Sequence, residues 1–290
     1  MRSVSNVMAE LRLAKEKYRP RYFSFPDDTF TTDKAWLKEF IGDYKRDIGR
    51  PFLCYTHPKF IDYERAALLK EGGCFWLNIG IQTASEDNRK KILKRVESNE
   101  EILKAARNCH KTGLRFSIDH IFDIPGEGER EYIEALSFYN KLRPSIINSF
   151  FLRYYPKTEI IDTALSVGML KEEDVRSIEE GEYFIAATMS LGTGPGPARV
   201  KSLNGFVLLF SALPFLPPSL VDKIIARRWD LKLGSVPQIF SVLAKFIVRL
   251  GIGQWYLYTD EIKRQVFFAA RNLRIKLGCY FFGKGNVNET

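Results

Sequence analysis

The chain has 290 residues, 45% hydrophobic and 27% charged, with 13% aromatic residues including 22 Phe. This excludes a disordered chain and leaves room for one large domain with an appendage. Cys54, Cys74, Cys109 and Cys279 stand too far apart for a C-x-x-C pair and are too few for a disulfide scaffold, so a reducing, cytoplasmic setting is expected. The first residues, MRSVSNVMAELRLAKEKY, lack the uninterrupted apolar core of a signal peptide. The net charge is +9, and +8 of it falls within Lys201–Thr290. The two parts are therefore expected to face different partners.

In chain order, Val4, Val7, Met8, Leu11 and Tyr18 recur at helical spacing, and Pro20 ends that helix. RYFSF (Arg21 to Phe25) reads as a short strand, followed by the loop PDDTFTTD. Trp36, Leu37, Phe40, Ile41 and Tyr44 mark a second helix. FLCYTHP (Phe52 to Pro58) reads as a strand, and Asp62 caps a helix that stops at Gly72 and Gly73. WLNIGIQ (Trp76 to Gln82) is the third strand. Ser98 and Glu101 make a capping box ahead of the stripe Ile102, Ala105, Ala106 and Cys109. RFSIDHIFDI (Arg115 to Ile124) runs into the turn PGEGE. A helix carrying Tyr132, Ile133, Leu136 and Tyr139 follows, then a strand over Ile147 to Tyr155 and a helix ending near Gly168.

Strand–helix units at this repeat imply a parallel sheet, and a helix stands ahead of the first strand. The expected fold class is α/β, a partial parallel TIM-like barrel lacking its first strand, with a C-terminal, mostly helical appendage. An open edge at Arg21 to Phe25 is expected, a liability for solubility or a dimer seam. In such a barrel the loops after the strands carry the chemistry. The character changes near the linker GTGPGPA, so residues 1–190 are expected to form the barrel and 191–290 a basic, apolar helical region. Its apolar runs, Phe206 to Leu216 and Ile239 to Tyr258, are broken by prolines or carry Lys245 and Arg249. With Arg227, Arg228, Arg271, Arg274 and Lys276, they fit peripheral membrane contact or a lipid-like substrate; the competing expectation is a helical layer packed on the barrel or on a missing N-terminal domain. No nucleic acid is expected as a partner.

The order of short motifs resembles the radical S-adenosylmethionine superfamily, in particular its branch with a cobalamin-binding domain ahead of the barrel. Asp27, Asp28 and Phe30 match an Asp-Asp-x-Phe pattern. Gly80, Ile81, Gln82, Thr83 and Ser85 loosely match G-I-E-S-x-S, and Ile92 to Arg95 match I-L-K-R. Asp123 to Glu127 match G-x-P-G-E, and Tyr154, Pro156 and Thr158 match P-x-P-G-T. The resemblance covers roughly residues 1–168. It implies S-adenosylmethionine, a [4Fe–4S] cluster and cobalamin as cofactors, and radical or methyl-transfer chemistry.

The chemistry of the cofactor fits these loops. Asp27 and Asp28 suit its amine, Gln82 and Ser85 its ribose, and Arg95 its carboxylate. Ile124, Pro125 and Tyr154 suit the adenine. Asp119 belongs to the same cofactor-binding set, and His120 beside it is the best acid–base candidate, against a structural reading. Each has a plain alternative. Asp27–Asp28 cap a helix, and Arg95 ends a basic run, RKKILKR, of the kind usually found on a solvated face. Asp123 and Lys157 replace glycines, which predicts reshaped turns.

The family's C-x-x-x-C-x-x-C loop has no counterpart here. A truncated chain, a mis-called start or a degenerate paralogue is expected, inactive by itself. The competing readings are a non-catalytic binding barrel and, weakest, a barrel hydrolase or lyase, for which the loops lack a nucleophile–base pair.

Overall fold

The computed structural model describes residues 2–181 and 200–229. Five strands form one parallel sheet in the order β1-β2-β3-β4-β5: β1 Phe23–Phe25, β2 Phe52–Thr56, β3 Cys74–Gln82, β4 Phe116–Phe122 and β5 Ile146–Phe151. Sequential strands pairing in parallel, each reached through helices, make the α/β, partial TIM-like barrel. Among the described residues β1 pairs on one side only, and its three residues keep that edge short.

The helices are α1 Val4–Tyr18, α2 Lys34–Asp47, α3 Tyr63–Glu71, α4 Glu86–Lys91, α5 Asn99–Thr112, α6 Glu129–Leu142, α7 Glu159–Ser166 and α8 Glu172–Glu179. Asp62 caps α3 through the Arg65 amide at 2.7 Å. The Ser98–Glu101 box is reciprocal, at 3.2 and 2.7 Å, and the stripe behind it is buried. Asp33, not Asp27 or Asp28, caps α2, at 2.9 Å. Two helices escape the apolar pattern, α4 and α8. Helix α4 is six residues long and is set by a Ser85 cap, acids in its first turn and bases in its last. The last strand stops at Phe151, short of Tyr155.

Alternation along the strands sorts the two faces. Phe52, Cys54, Leu77, Ile79, Ile118, Phe122 and Ile147 turn toward the helices and are all at most 2% exposed. Leu53, Tyr55, Trp76, Asn78, Ser117, Asp119, Asn148 and Phe150 share the opposite, concave face by register.

Helix α9 (Val200–Ala212) joins the helix-side core. Phe210 stacks on Phe122 at 5.2 Å and meets His120 and Tyr139 edge-on at 4.8 and 5.4 Å. Helix α10 (Pro218–Ala226) packs on α6. At the end of α6, Arg143 donates to the carbonyls of Leu213, Pro214 and Leu216 at 3.4, 3.4 and 3.0 Å. So Phe206, Val207, Phe210 and Leu213, from the first apolar run, are buried in a helical layer on the barrel. The second run, Ile239 to Tyr258, and Arg271, Arg274 and Lys276 lie outside the described residues, as does the expected boundary near 190. Among the described residues no helix is long and apolar enough to cross a membrane.

Candidate functional site

The concave face carries a continuous polar ladder. The Trp76 indole donates to Ser117 Oγ at 2.8 Å, and Ser117 donates to Asn78 Oδ1 at 2.6 Å. Asn78 and Asn148 each donate an amide hydrogen to one oxygen of Asp119, both at 2.9 Å. The ladder crosses β3, β4 and β5. It arises from polar residues placed at every second position of otherwise apolar strands. Burial raises the Asp119 pKa, and the two amide bonds only partly oppose this.

The C-terminal ends of the strands form the rim above this ladder. Asp27 and Asp28 are exposed in the turn after β1. Gln82 closes β3 in a left-handed conformation, φ 71°, at a register shift after Gly80. Ser85 caps α4, accepting the Asn88 amide at 3.3 Å. Ile124 and Pro125 are buried in the turn after β4, and Tyr154 is buried after β5. Asp123 and Lys157 both have φ 63°. The glycine-like backbone therefore persists at both substituted positions. Asp tolerates it and Lys bears some strain.

Arg95 does not lie on a solvated face. Its Nε donates to Glu97 Oε1 and its Nη2 to the Gly80 carbonyl, both at 2.7 Å. His57 accepts the Lys59 amide at Nδ1, at 3.2 Å, which leaves the proton on Nε2 to donate to Glu97 Oε2 at 3.1 Å. Burial pushes the Glu97 carboxyl up, but His57, Arg95 and a backbone amide together hold it at about 2. The other end of the basic run is more enclosed still. Arg89 is 0% exposed and donates to Thr83 O, Glu97 O and Asn99 Oδ1 at 2.5, 3.3 and 2.5 Å. Glu127, in the turn after β4, accepts from Thr83 Oγ1 at 2.5 Å and Asn88 Nδ2 at 3.1 Å. Burial pushes its carboxyl up to about 7.

Asp119 and His120 point to opposite faces, so they are no acid–base pair. His120 is buried among aromatics, bonded through Nδ1 to Tyr139 OH at 2.8 Å, and burial depresses it to about 3. The motif reading missed Trp76, Asn78, Ser117, Asn148, Arg89 and Glu97, and it included Glu127 in the turn after β4 without giving it a role. For the first four, the signal was present as polar residues of one parity in apolar strands.

The described cysteines do not fit an iron–sulfur cluster. Cys54, Cys74 and Cys109 are buried between sheet and helices, with Cys54 and Cys74 sulfurs 3.9 Å apart. Burial raises the Cys54 thiol and pushes Cys109 up to about 12, the reverse of a ligating thiolate. Among the described residues no group of three or more His, Cys, Asp or Glu is placed to hold a metal.

Residues 1–139 match the family model described as the Radical SAM superfamily. This part of the chain belongs to the radical SAM superfamily. An uncharacterized protein of Methanocaldococcus jannaschii is 28% identical over 178 residues, 59% of this chain and 52% of that protein. An uncharacterized methyltransferase of Pyrococcus horikoshii is 25% identical over 169 residues, 58% of this chain and 37% of that protein. The chain thus spans about half or less of the length of these relatives. The radical S-adenosylmethionine methyltransferase TsrM from Kitasatospora setae, solved with cobalamin and a [4Fe–4S] cluster, is 19% identical. Its TM-score is 0.49, over 55% of this chain and 33% of that one. For this radical SAM domain, the concave face and its rim are the candidate site.

Proposed function

We propose that this radical SAM chain provides a cofactor-binding face for S-adenosylmethionine and does not cleave it reductively by itself. One observation carries the reading. The helices seal one face of the sheet, and the other bears a polar ladder leading to the C-terminal strand ends, where barrels place their ligands. Asp27 and Asp28 suit the amine of the cofactor. Ser85 keeps its hydroxyl proton for the ribose, beside Gln82, while its oxygen caps α4. Arg95 keeps its Nη1 donors for the carboxylate. Ile124, Pro125 and Tyr154 offer an apolar seat for adenine. The motif order makes methyl transfer with cobalamin part of the proposal. The buried cysteines favour, as a second reading, a barrel that binds a ligand without radical chemistry.

S-Adenosylmethionine titrated calorimetrically into the chain is expected to bind with a dissociation constant on the order of 0.1–1 mM, since the anchoring iron is not held by the described residues. Anaerobic iron–sulfide reconstitution should give no stable four-iron absorbance. A stoichiometric, redox-active cluster overturns the claim that the chain alone lacks the chemistry, and no detectable binding overturns the cofactor face.

Gly80 offers a local test. A Cβ there would stand 2.9 Å from Gln82 Nε2, a flexible side-chain end. Gly80→Ala should displace the Gln82 amide, weakening S-adenosylmethionine several-fold while changing stability by less than about 1 kcal/mol. Unchanged affinity would remove Gln82 from the cofactor set.

A further inference from the structure

Glu127 stands where two strand-end turns meet. Its backbone amide donates to the Ile124 carbonyl at 2.9 Å, which closes the turn over Pro125 and Gly126, with Gly126 at φ 84°. Its side chain crosses to the turn after β3. There Oε1 accepts from Thr83 Oγ1 at 2.5 Å and from Asn88 Nδ2 at 3.1 Å. The Thr83 oxygen accepts the Ser85 amide at 3.1 Å, and the Ser85 oxygen accepts the Asn88 amide at 3.3 Å. Glu127, Thr83, Ser85 and Asn88 thus close a ring of four hydrogen-bonded residues. Thr83 is 1% exposed, so water hardly competes for its hydroxyl.

The Ser85 cap starts α4 and needs no carboxylate at 127. Yet the carboxylate is there, and its Oε2 is enclosed with no hydrogen-bond partner among the described residues. A buried, half-satisfied carboxyl costs free energy. Local rules are broken in this way at functional sites, where a group must be held in one place.

We propose that Glu127 is a positioning residue: through the ring it ties Ser85, the ribose partner, to the turn of Ile124 and Pro125, the adenine seat, so that the two halves of a nucleoside meet one pre-formed surface. Holding both turns in place before binding removes the cost of ordering them at binding. This role rests on the cofactor face proposed above and deepens it.

Two readouts on the full chain at neutral pH test it. Hydrogen exchange of the Ser85 amide reports the ring without any ligand, and calorimetric titration of S-adenosylmethionine reports its effect on binding. The Ile79 amide, inside β3, is the control. Glu127 does not touch the Ser85 amide, so its influence there must pass through Thr83. Glu127→Ala should speed Ser85 exchange about tenfold, leave Ile79 within about twofold, and weaken S-adenosylmethionine about fivefold. Thr83→Val, which deletes the hydroxyl, should do the same. The double variant should lose little more than either single one, because both residues act in one ring. Glu127→Gln keeps an acceptor oxygen at the Oε1 position and should restore both readouts to within about twofold of the parent. Additive losses in the double variant, or a Glu127→Gln variant no better than Glu127→Ala, overturn the proposal. So does Ile79 exchange that rises in step with Ser85, which would make the effect one of global stability. If Glu127→Ala does not fold, Thr83→Val and Glu127→Gln decide: the first must lose both readouts and the second keep them. Faster Ser85 exchange with unchanged affinity sinks this role and leaves the cofactor reading standing. If the parent binds no S-adenosylmethionine, the cofactor reading falls. Coupling at Ser85 then keeps Glu127 as the group that positions this rim, and additivity there removes it.

Discussion

Arg89→Met is expected to cost about 3–5 kcal/mol of folding stability. The guanidinium is fully enclosed and supplies donors to Thr83 O, Glu97 O and Asn99 Oδ1. Methionine fills much of the volume but donates nothing, so three acceptors lose their partner inside the protein. The nearby Glu97 carboxylate also loses a favourable charge, and that charge opposes the desolvation that lowers the Arg89 pKa. Arg89→Lys should recover only part of the loss, because an ammonium cannot reproduce a planar fork reaching three sites. Urea unfolding at neutral pH measures both variants. A parallel shift of the midpoint with unchanged slope is expected. A cost below about 1 kcal/mol for Arg89→Met would show that the loop from Thr83 to Asn99 does not depend on this cation. Such a loss would also displace Ser85 and Arg95, whose positions this loop sets.

The second large effect is the dependence of stability on pH. Glu97 is held at about 2, below its ordinary 4.5, so its contribution is complete above pH 4.5 and is lost as pH falls through 2. Burial lowers His120 from 6.5 to about 3, so the folded state favours its neutral form. That contribution is complete above pH 6.5 and is lost as pH falls toward 3. Glu127 has the opposite sign. Raised from 4.5 to about 7 by burial, it favours folding below pH 4.5 and loses that contribution as pH rises through 7. Asp119, raised by burial, adds to Glu127 from pH 3.8 upward. Each fully shifted group contributes a slope of about 1.4 kcal/mol per pH unit within its window. Between pH 4.5 and 6.5, His120 and Glu127 cancel, and the net slope left is the downward one contributed by Asp119. Below about pH 4 the Glu97 and His120 slopes have the same sign, and stability should fall steeply. Glu127→Gln removes one side of the balance. Relative to the parent, its stability should rise by about 1.4 kcal/mol per unit between pH 4.5 and 6.5, read from urea midpoints. A profile superimposable on the parent would mean that Glu127 titrates at its ordinary value.

Local signals accounted for much of this protein. A capping box writes both partners of its hydrogen bonds into four residues, so the start of α5 at Ser98 and Glu101 was readable directly. Apolar spacing of 3.6 and runs of β-formers placed the five strands and most helices, and their alternation implied the parallel sheet. The family was legible for a similar reason, because its motifs are short segments at strand ends in a set order. The left-handed turns at Asp123 and Lys157 were not legible. The replaced glycines predict reshaped turns, yet the surrounding loops hold both residues at the glycine-like φ, which Asp accommodates more readily than Lys.

Tertiary structure alone decided which charges are buried and what they meet. Within RKKILKR, Lys90 and Lys91 lie in water while Arg89 is enclosed, because one short helix turns its faces to different surroundings. Asp119 and His120 are neighbours in the chain but lie on opposite sides of a sheet, where period-two geometry gives one a polar ladder and the other an aromatic core. Glu97, 40 residues from His57, becomes its partner only when the loops after β2 and α4 converge. Sequence periodicity can specify which face a residue occupies. Desolvation and pairing depend on what packs across from it, and that is set by segments distant in the chain.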